Sequence, residues 1–263
     1  MDIIQINNPL DEALTPYMRL TEAQLLNRLH PENGIFICES IKVIRVALEH
    51  GLEPVSFLCE EKFIDTHIRQ LSPKVPVYTA SREILRQITG YELSRGVLCA
   101  MRRPQLPTAD QILSSSKRVA ILDAVVNSEN TGSIFRSAAA LGIDAVLLTR
   151  TCCDPLVRRA CRVSMGTVFQ VPWTFLDSYN TLKNNNFTII AMALSNNSVD
   201  ISDTALKSHH KFAIVLGAEG DGLPDNVLSQ ADFVAKIPMH NGVDSLNVAA
   251  ASAVVFWELA KQL

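Results

Sequence analysis

The sequence predicts an α/β protein with a small domain over 1–104, a linker over 105–116, and a larger parallel-sheet domain over 117–263. Three observations carry this. From Lys117 onward, apolar runs alternate with helical patterns, as buried parallel strands joined by crossover helices do. Before residue 104 the runs are shorter and closer together, which suits a compact three-layer α/β unit. Between them, Pro104, Pro107 and the run Ser114-Ser115-Ser116 read as a polar connection.

In the first domain, Thr21 and Gln24 have capping-box spacing ahead of a helix running to Leu29. A strand follows over 34–39. A helix spans 40–50 with Val43, Val46 and Ala47 inward, and Gly51 stops it. Strands at 55–59, 75–78 and 96–101 alternate with helices at 62–71 and 81–89. In the second domain, strands are expected at 119–122, 145–148, 188–193, 212–216 and 233–237. Ordinary topology rules predict no knot from such a pattern.

Hydrophobic residues make up 48% and charged residues 19%, the profile of an ordinary globular protein. No apolar run is long enough to span a bilayer, and Met-Asp-Ile-Ile-Gln at the N-terminus has no basic signal region. A cytoplasmic protein is expected. With 24 Lys+Arg against 27 Asp+Glu, the net charge of −3 excludes a generally basic nucleic-acid binder. RNA binding would need a local patch, and 150–162 offers Arg150, Arg158, Arg159 and Arg162 against the single acid Asp154. The charge pattern suits a solvated helix face equally well. Six cysteines lack C-x-x-C spacing and nearby histidines, so neither a metal site nor a disulfide framework is expected.

Three stretches carry chemistry. At 237–251, Ile-Pro-Met-His-Asn-Gly-Val-Asp-Ser-Leu-Asn-Val-Ala-Ala-Ala, Pro238 ends a strand and Asp244 and Ser245 stand at an N-cap position. The helix beyond has Leu246, Ala250, Ala253, Val254 and Trp257 at helical spacing. Ser245 and Asn247 thus fall at the carboxyl end of a strand, where open α/β sheets bind ligands. At 216–223, Leu-Gly-Ala-Glu-Gly-Asp-Gly-Leu follows another strand, and Gly217 allows close backbone approach. This is neither G-x-G-x-x-G nor a Walker loop, which disfavours a dinucleotide or nucleotide-triphosphate site. At 130–138, Asn-Thr-Gly-Ser-Ile-Phe-Arg-Ser-Ala opens a helix that stops at Gly142. Ile134, Ala138 and Leu141 form its expected buried stripe, and Arg136 lies roughly 200° from Ile134 and points away from it. From pattern alone Arg136 is a surface arginine.

Together and in this order, the three stretches resemble the motifs of the SpoU/TrmH family of SPOUT methyltransferases, over roughly the C-terminal 145 residues. That resemblance implies a parallel-sheet SPOUT domain with a deep trefoil knot, working as a homodimer. It implies transfer of a methyl group from S-adenosylmethionine to a ribose 2′-hydroxyl of rRNA or tRNA. Arg136 matches the family's essential arginine, and Asn130 its asparagine, which would cap the helix or orient the arginine. Glu219, Ser245 and Asn247 complete the implied catalytic set. Gly217, Ile237, Met239 and Leu246 are the implied cofactor contacts, beside the end of the 189–194 strand.

Residues 162–166, Arg-Val-Ser-Met-Gly, resemble a family segment between the first two motifs, which makes Arg158, Arg159 and Arg162 candidates for RNA phosphate. The first domain resembles the substrate-binding domain found ahead of many SpoU-type enzymes, through 34–39 and 96–104. Glycine is expected where this chain has Ser40. Two other readings remain: the same fold methylating an RNA base nitrogen, and a catalytically idle RNA-binding or assembly protein.

Overall fold

The computed structural model describes residues 2–18, 21–26, 30, 33–90, 92–93, 96–195, 197–218 and 222–260. The chain forms two compact units: 1–105 with 156–169, and 106–155 with 170–263.

The first unit is built on a five-stranded mixed sheet of β1 (Ile3–Gln5), β2 (Ile35–Glu39), β3 (Pro54–Cys59), β4 (Val77–Thr79) and β5 (Val97–Arg102), in the order β1-β4-β3-β5-β2. β1, β4 and β3 run parallel, and β5 pairs antiparallel with both β3 and β2. Alternation along the strands dresses both faces. Ile37, Leu58, Leu98 and Ala100 join one core with Leu85 and Ile88 of α4 (Arg82–Thr89). Phe36 and Cys38 take the opposite parity on β2, and α2 (Ile41–Glu49) buries Val43, Ile44 and Ala47. Tyr17 reaches into the first core, where its hydroxyl meets Ser56 Oγ at 2.8 Å and accepts from the Ala100 N–H at 3.3 Å.

The expected Thr21–Gln24 capping box forms. Gln24 Oε1 accepts the Thr21 N–H at 2.8 Å, and Thr21 Oγ1 accepts the Gln24 N–H at 3.3 Å. The helix it opens is α1 (Glu22–Leu26), and the expected extension over 27–29 lies outside the described residues. The 62–71 helix is wound more widely than its pattern suggests: Ile64–Ile68 is π-helical, with i→i+5 hydrogen bonds, and continues as α3 (Arg69–Leu71).

The expected linker is a correction. Residues 109–115 fold as α5 (Ala109–Ser115), opened by a capping box between Thr108 and Gln111. Ile112 and Leu113 are buried in the second unit's core. The serines that suggest a linker return their hydroxyls to the helix's own carbonyls, Ser114 to Gln111 and Ser115 and Ser116 to Ile112. Serine composition alone cannot distinguish that arrangement from a solvated loop.

The second unit holds seven parallel strands: β6 (Arg118–Leu122), β7 (Ala145–Leu148), β8 (Trp173–Phe175), β9 (Thr188–Met192), β10 (Val199–Asp200), β11 (Phe212–Leu216) and β12 (Phe233–Lys236). Their order is β10-β12-β9-β11-β6-β7-β8. The five expected strands are present, and the sequence reading missed the two short edge strands β8 and β10. Runs of three and two residues are too short for periodicity to register. Val119, Ile121, Ala213 and Val215 face α5, α8 (Asn180–Asn184) and α9 (Asp225–Leu228) in one core.

Helix α6 (Ser128–Ala140) packs beside α10 (Val248–Ala260). α6 begins earlier than expected, with Asn127 as its cap rather than Asn130, and buries Ile134, Phe135 and Ala138. Leu141, expected in its stripe, is half-buried. α10 buries Val248, Ser252, Val255, Phe256 and Leu259, while Val254 and Trp257 are 40% and 57% exposed. The expected stripe through Val254 and Trp257 is therefore the outward one. A helix apolar nearly all round gives periodicity nothing to choose by, and Ser252 can face inward because its hydroxyl bonds Ala249 O at 2.7 Å.

After β7 the chain contributes α7 (Arg158–Val163) to the first unit. Phe169 packs its ring 5.8 Å from Phe36. Gly166, at φ +90°, lies so close to Val46 that an added Cβ would meet that side chain at 3.0 Å. Glu39, its side chain 2% exposed, accepts from Arg162 Nη1 at 3.0 Å and lies 3.8 Å from Arg158 Nε.

Candidate functional site

β9, β11 and β12 end together at the carboxyl edge of the parallel sheet, and a cleft of about 570 Å³ opens there. Met192, Ala193 and Leu194 line it after β9, Leu216 and Gly217 at the end of β11, and Ile237 and Met239 after β12. The loop of Asp244, Ser245, Leu246 and Asn247 lines it as well. The four residues expected to hold a cofactor, Gly217, Ile237, Met239 and Leu246, thus share one cavity.

Gly217 is required by packing. A Cβ there would stand 2.9 Å from the Gly222 carbonyl carbon and 3.0 Å from Leu223 Cδ2, because Ala218 and Gly222 pair in an antiparallel bridge. Glu219, with Gly220 and Asp221, lies outside the described residues.

The cap of α10 corrects the sequence reading. Asp244 and Ser245 do not cap it. Asn247 Oδ1 accepts the N–H groups of Ala249 and Ala250 at 3.0 and 3.4 Å. The same side chain donates Nδ2 to Asn130 Oδ1 at 3.0 Å, which brings the first and third sequence stretches into contact. Asn130 is free to make this bond because Asn127 Oδ1 takes the N–H groups of Glu129 and Asn130, at 2.8 and 3.2 Å, and starts α6. Asn130 is 7% exposed, on the inner face of its helix.

Arg136 is exposed on the opposite side of α6 and does not line the cleft. Ser245 is exposed on the loop. Of the three arginines expected at RNA phosphate, Arg158 and Arg162 turn to Glu39, and Arg159 is exposed. Glu39 escaped sequence reasoning because its partner lies 123 residues away. Asn127, Lys236 and Asp244 were also missed as site-building residues. Asn127 sits three residues before Asn130, and that N-cap spacing is the signal that could have found it.

Four of the six cysteines behave as buried apolar groups, while Cys152 and Cys153 are half-buried. Cys38, Cys59, Cys99 and Cys161 are buried, and burial pushes the Cys59 thiol up to about 12. Among the described residues no cluster of three or more His, Cys, Asp or Glu could hold a metal. No helix among them is long and apolar enough to cross a membrane.

Residues 117–257 match the SpoU rRNA Methylase family. The chain belongs to that family. It is an RNA methyltransferase of the SpoU/TrmH type. An uncharacterized tRNA/rRNA methyltransferase of Mycobacterium bovis is 34% identical over 264 residues, spanning 98% of this chain and 92% of the relative. Among solved structures, an AdoMet-bound rRNA methyltransferase from Sinorhizobium meliloti superposes with a TM-score of 0.82 at 21% identity, over 99% of this chain and 98% of that one. An RNA 2′-O ribose methyltransferase superposes with a TM-score of 0.76 at 22% identity, over 98% and 99%. At these identities the two structures speak for the fold alone.

Proposed function

We propose that this SpoU-family protein transfers a methyl group from S-adenosylmethionine to a ribose 2′-hydroxyl of rRNA or tRNA, as a homodimer. The observation that carries the reading is the 3.0 Å bond from Asn247 to Asn130. It joins the first and third motifs beside a cleft that Gly217 of the second motif lines.

The cleft fits the cofactor. Its volume lies inside the range of about 300–1,000 Å³ usual for small-molecule sites. Met192, Leu216, Ile237 and Leu246 offer apolar carbon to a flat adenine, and the Gly217 backbone can approach closely. Among the described lining residues the charged ones are Lys236 and Asp244. A ligand without phosphates suits such a wall better than a nucleotide does. When bound, S-adenosylmethionine supplies the methyl group on a positively charged sulfonium.

The chain's own residues position the acceptor, and positioning provides much of the rate in an in-line displacement. Arg136 binds the 2′-oxygen and the neighbouring phosphate. A guanidinium keeps its proton throughout the physiological range, so it stabilises the developing alkoxide while the proton leaves through phosphate or water. Asn130, Ser245 and Asn247 hold the ribose, and Glu219 holds Arg136. Because Arg136 does not line its own chain's cleft, we assign it to the partner protomer's site. Arg159 meets RNA phosphate beyond the site, with Arg158 and Arg162 set by Glu39. The first unit serves as the RNA substrate-binding domain. β11 inserts between the earlier strands β6 and β9, and β12 between β9 and β10, an order consistent with a deep trefoil knot.

The test is methyl transfer from labelled cofactor to tRNA and rRNA lacking their own modifications, followed by mass spectrometry of the nucleosides. A 2′-O-methylnucleoside that disappears with Arg136→Ala is expected. A base-methylated product would overturn the acceptor assignment, and a fully active Arg136→Lys enzyme would overturn the two-pronged role of the arginine.

A further inference from the structure

We propose that Asp244 recognises the α-ammonium group of S-adenosylmethionine, and so distinguishes the cofactor from adenosine derivatives that lack an amino-acid end. The inference rests on the cofactor reading above and goes beyond it by assigning the end of the ligand that an apolar wall cannot read.

S-adenosylmethionine carries three charges: a sulfonium, an ammonium and a carboxylate. The described part of the cleft offers two charged side chains, Lys236 and Asp244. Lys236 already has a counter-charge, since it stands opposite Asp200 across the β10–β12 pair. Hydrogen bonds from Ser202 hold the Asp200 carboxylate below its usual range, and the Lys236 charge adds to them. Among the described residues Asp244 has no such partner: its side chain makes no hydrogen bond or ion pair with any of them, and it lines the cleft.

The loop around Asp244 explains why it stays available. Asn241 and Gly242 turn the chain at φ +58° and +71°. The capping position it resembles in sequence is taken by Asn247, whose Oδ1 receives the first N–H groups of α10. The carboxylate therefore remains an unused acceptor at the cleft wall.

The ligand's chemistry then selects its partner. A sulfonium has no N–H and attracts an exposed carboxylate only through Coulomb interaction, which water screens to a small effect. An ammonium presents three donors and forms charge-assisted hydrogen bonds. Asp244 should therefore sense the amino-acid end of the ligand and be indifferent to the charge on sulfur.

The measurement is a calorimetric titration of wild type and Asp244→Asn with three ligands. S-adenosylmethionine has both the ammonium and the sulfonium, S-adenosylhomocysteine keeps only the ammonium, and 5′-methylthioadenosine has neither. Losing one charge-assisted hydrogen bond should weaken the first two by about tenfold and leave 5′-methylthioadenosine unchanged. Weakening of S-adenosylmethionine alone would move Asp244 to the sulfonium and overturn the proposal. Equal weakening of all three would make it a loop-shaping residue, and no weakening would remove it from recognition. If wild type binds none of the three, the cofactor reading itself falls.

Discussion

At Asn247 the carboxamide oxygen receives two N–H groups of α10 while its nitrogen donates to Asn130, so one side chain both starts a helix and ties two motifs together. Two substitutions separate these roles. Asn247→Ala removes the cap and should cost about 1 kcal/mol in urea unfolding. Asn247→Asp keeps an acceptor at a helix N-terminus and should unfold near wild type. It cannot donate to Asn130, and methyl transfer should fall by about fivefold to tenfold, as loss of one neutral hydrogen bond worth about 1 kcal/mol implies.

Ser40 gives a second prediction at this scale. It sits at φ +84°, a region that favours glycine, and its Oγ is buried without a hydrogen-bond partner. The family resemblance called for glycine at this position, and the backbone explains why. Ser40→Gly should stabilise the protein by about 1 kcal/mol in denaturant unfolding, because relief of strain and of the orphaned hydroxyl outweighs glycine's added chain entropy.

At the scale of elements, α7 is held by a buried carboxylate. Glu39 is 2% exposed, whereas Arg158 and Arg162 are 37% and 31% exposed. The arginines can turn to water, and the carboxylate cannot. Removing both arginines should therefore destabilise the protein by about 3 kcal/mol, while Glu39→Gln should cost less. Adding Glu39→Gln to the arginine double mutant should recover part of the loss, which a denaturation cycle of the variants would measure. The opposite result, additive losses, would mean the pair does not interact. The sequence showed the arginines and left a solvated face and an RNA contact equally open, and it could not show Glu39, because charge alone does not reveal a buried partner. The same limit applies to α10. Its helical character was legible, although the helix starts at Val248 rather than at 246; its buried face was not, and it turned out to carry Ser252.

For the whole molecule, the proposed homodimer bears on α10 directly. Val254 and Trp257 expose a large apolar surface on a helix whose other side is packed. Trp257→Glu should give a monomer by analytical ultracentrifugation and abolish methyl transfer, since Arg136 would lose the site it is proposed to complete. A fully active monomer would sink both the dimer and the Arg136 assignment.

The sequence by itself determined that an α/β chain would form and where the five central parallel strands lie, and it singled out three stretches, the first and third of which the structure brings into contact. Apolar strand runs and glycine positions are local, and a local signal survives in one dimension. Only the tertiary structure decided the strand order, the inward face of α10, and the helical nature of 109–115. It alone paired Asn130 with Asn247 and Glu39 with Arg162, across 117 and 123 residues. Periodicity records that an element has an apolar face, but what covers that face, and which buried polar group meets which, follows from packing between segments far apart in the chain.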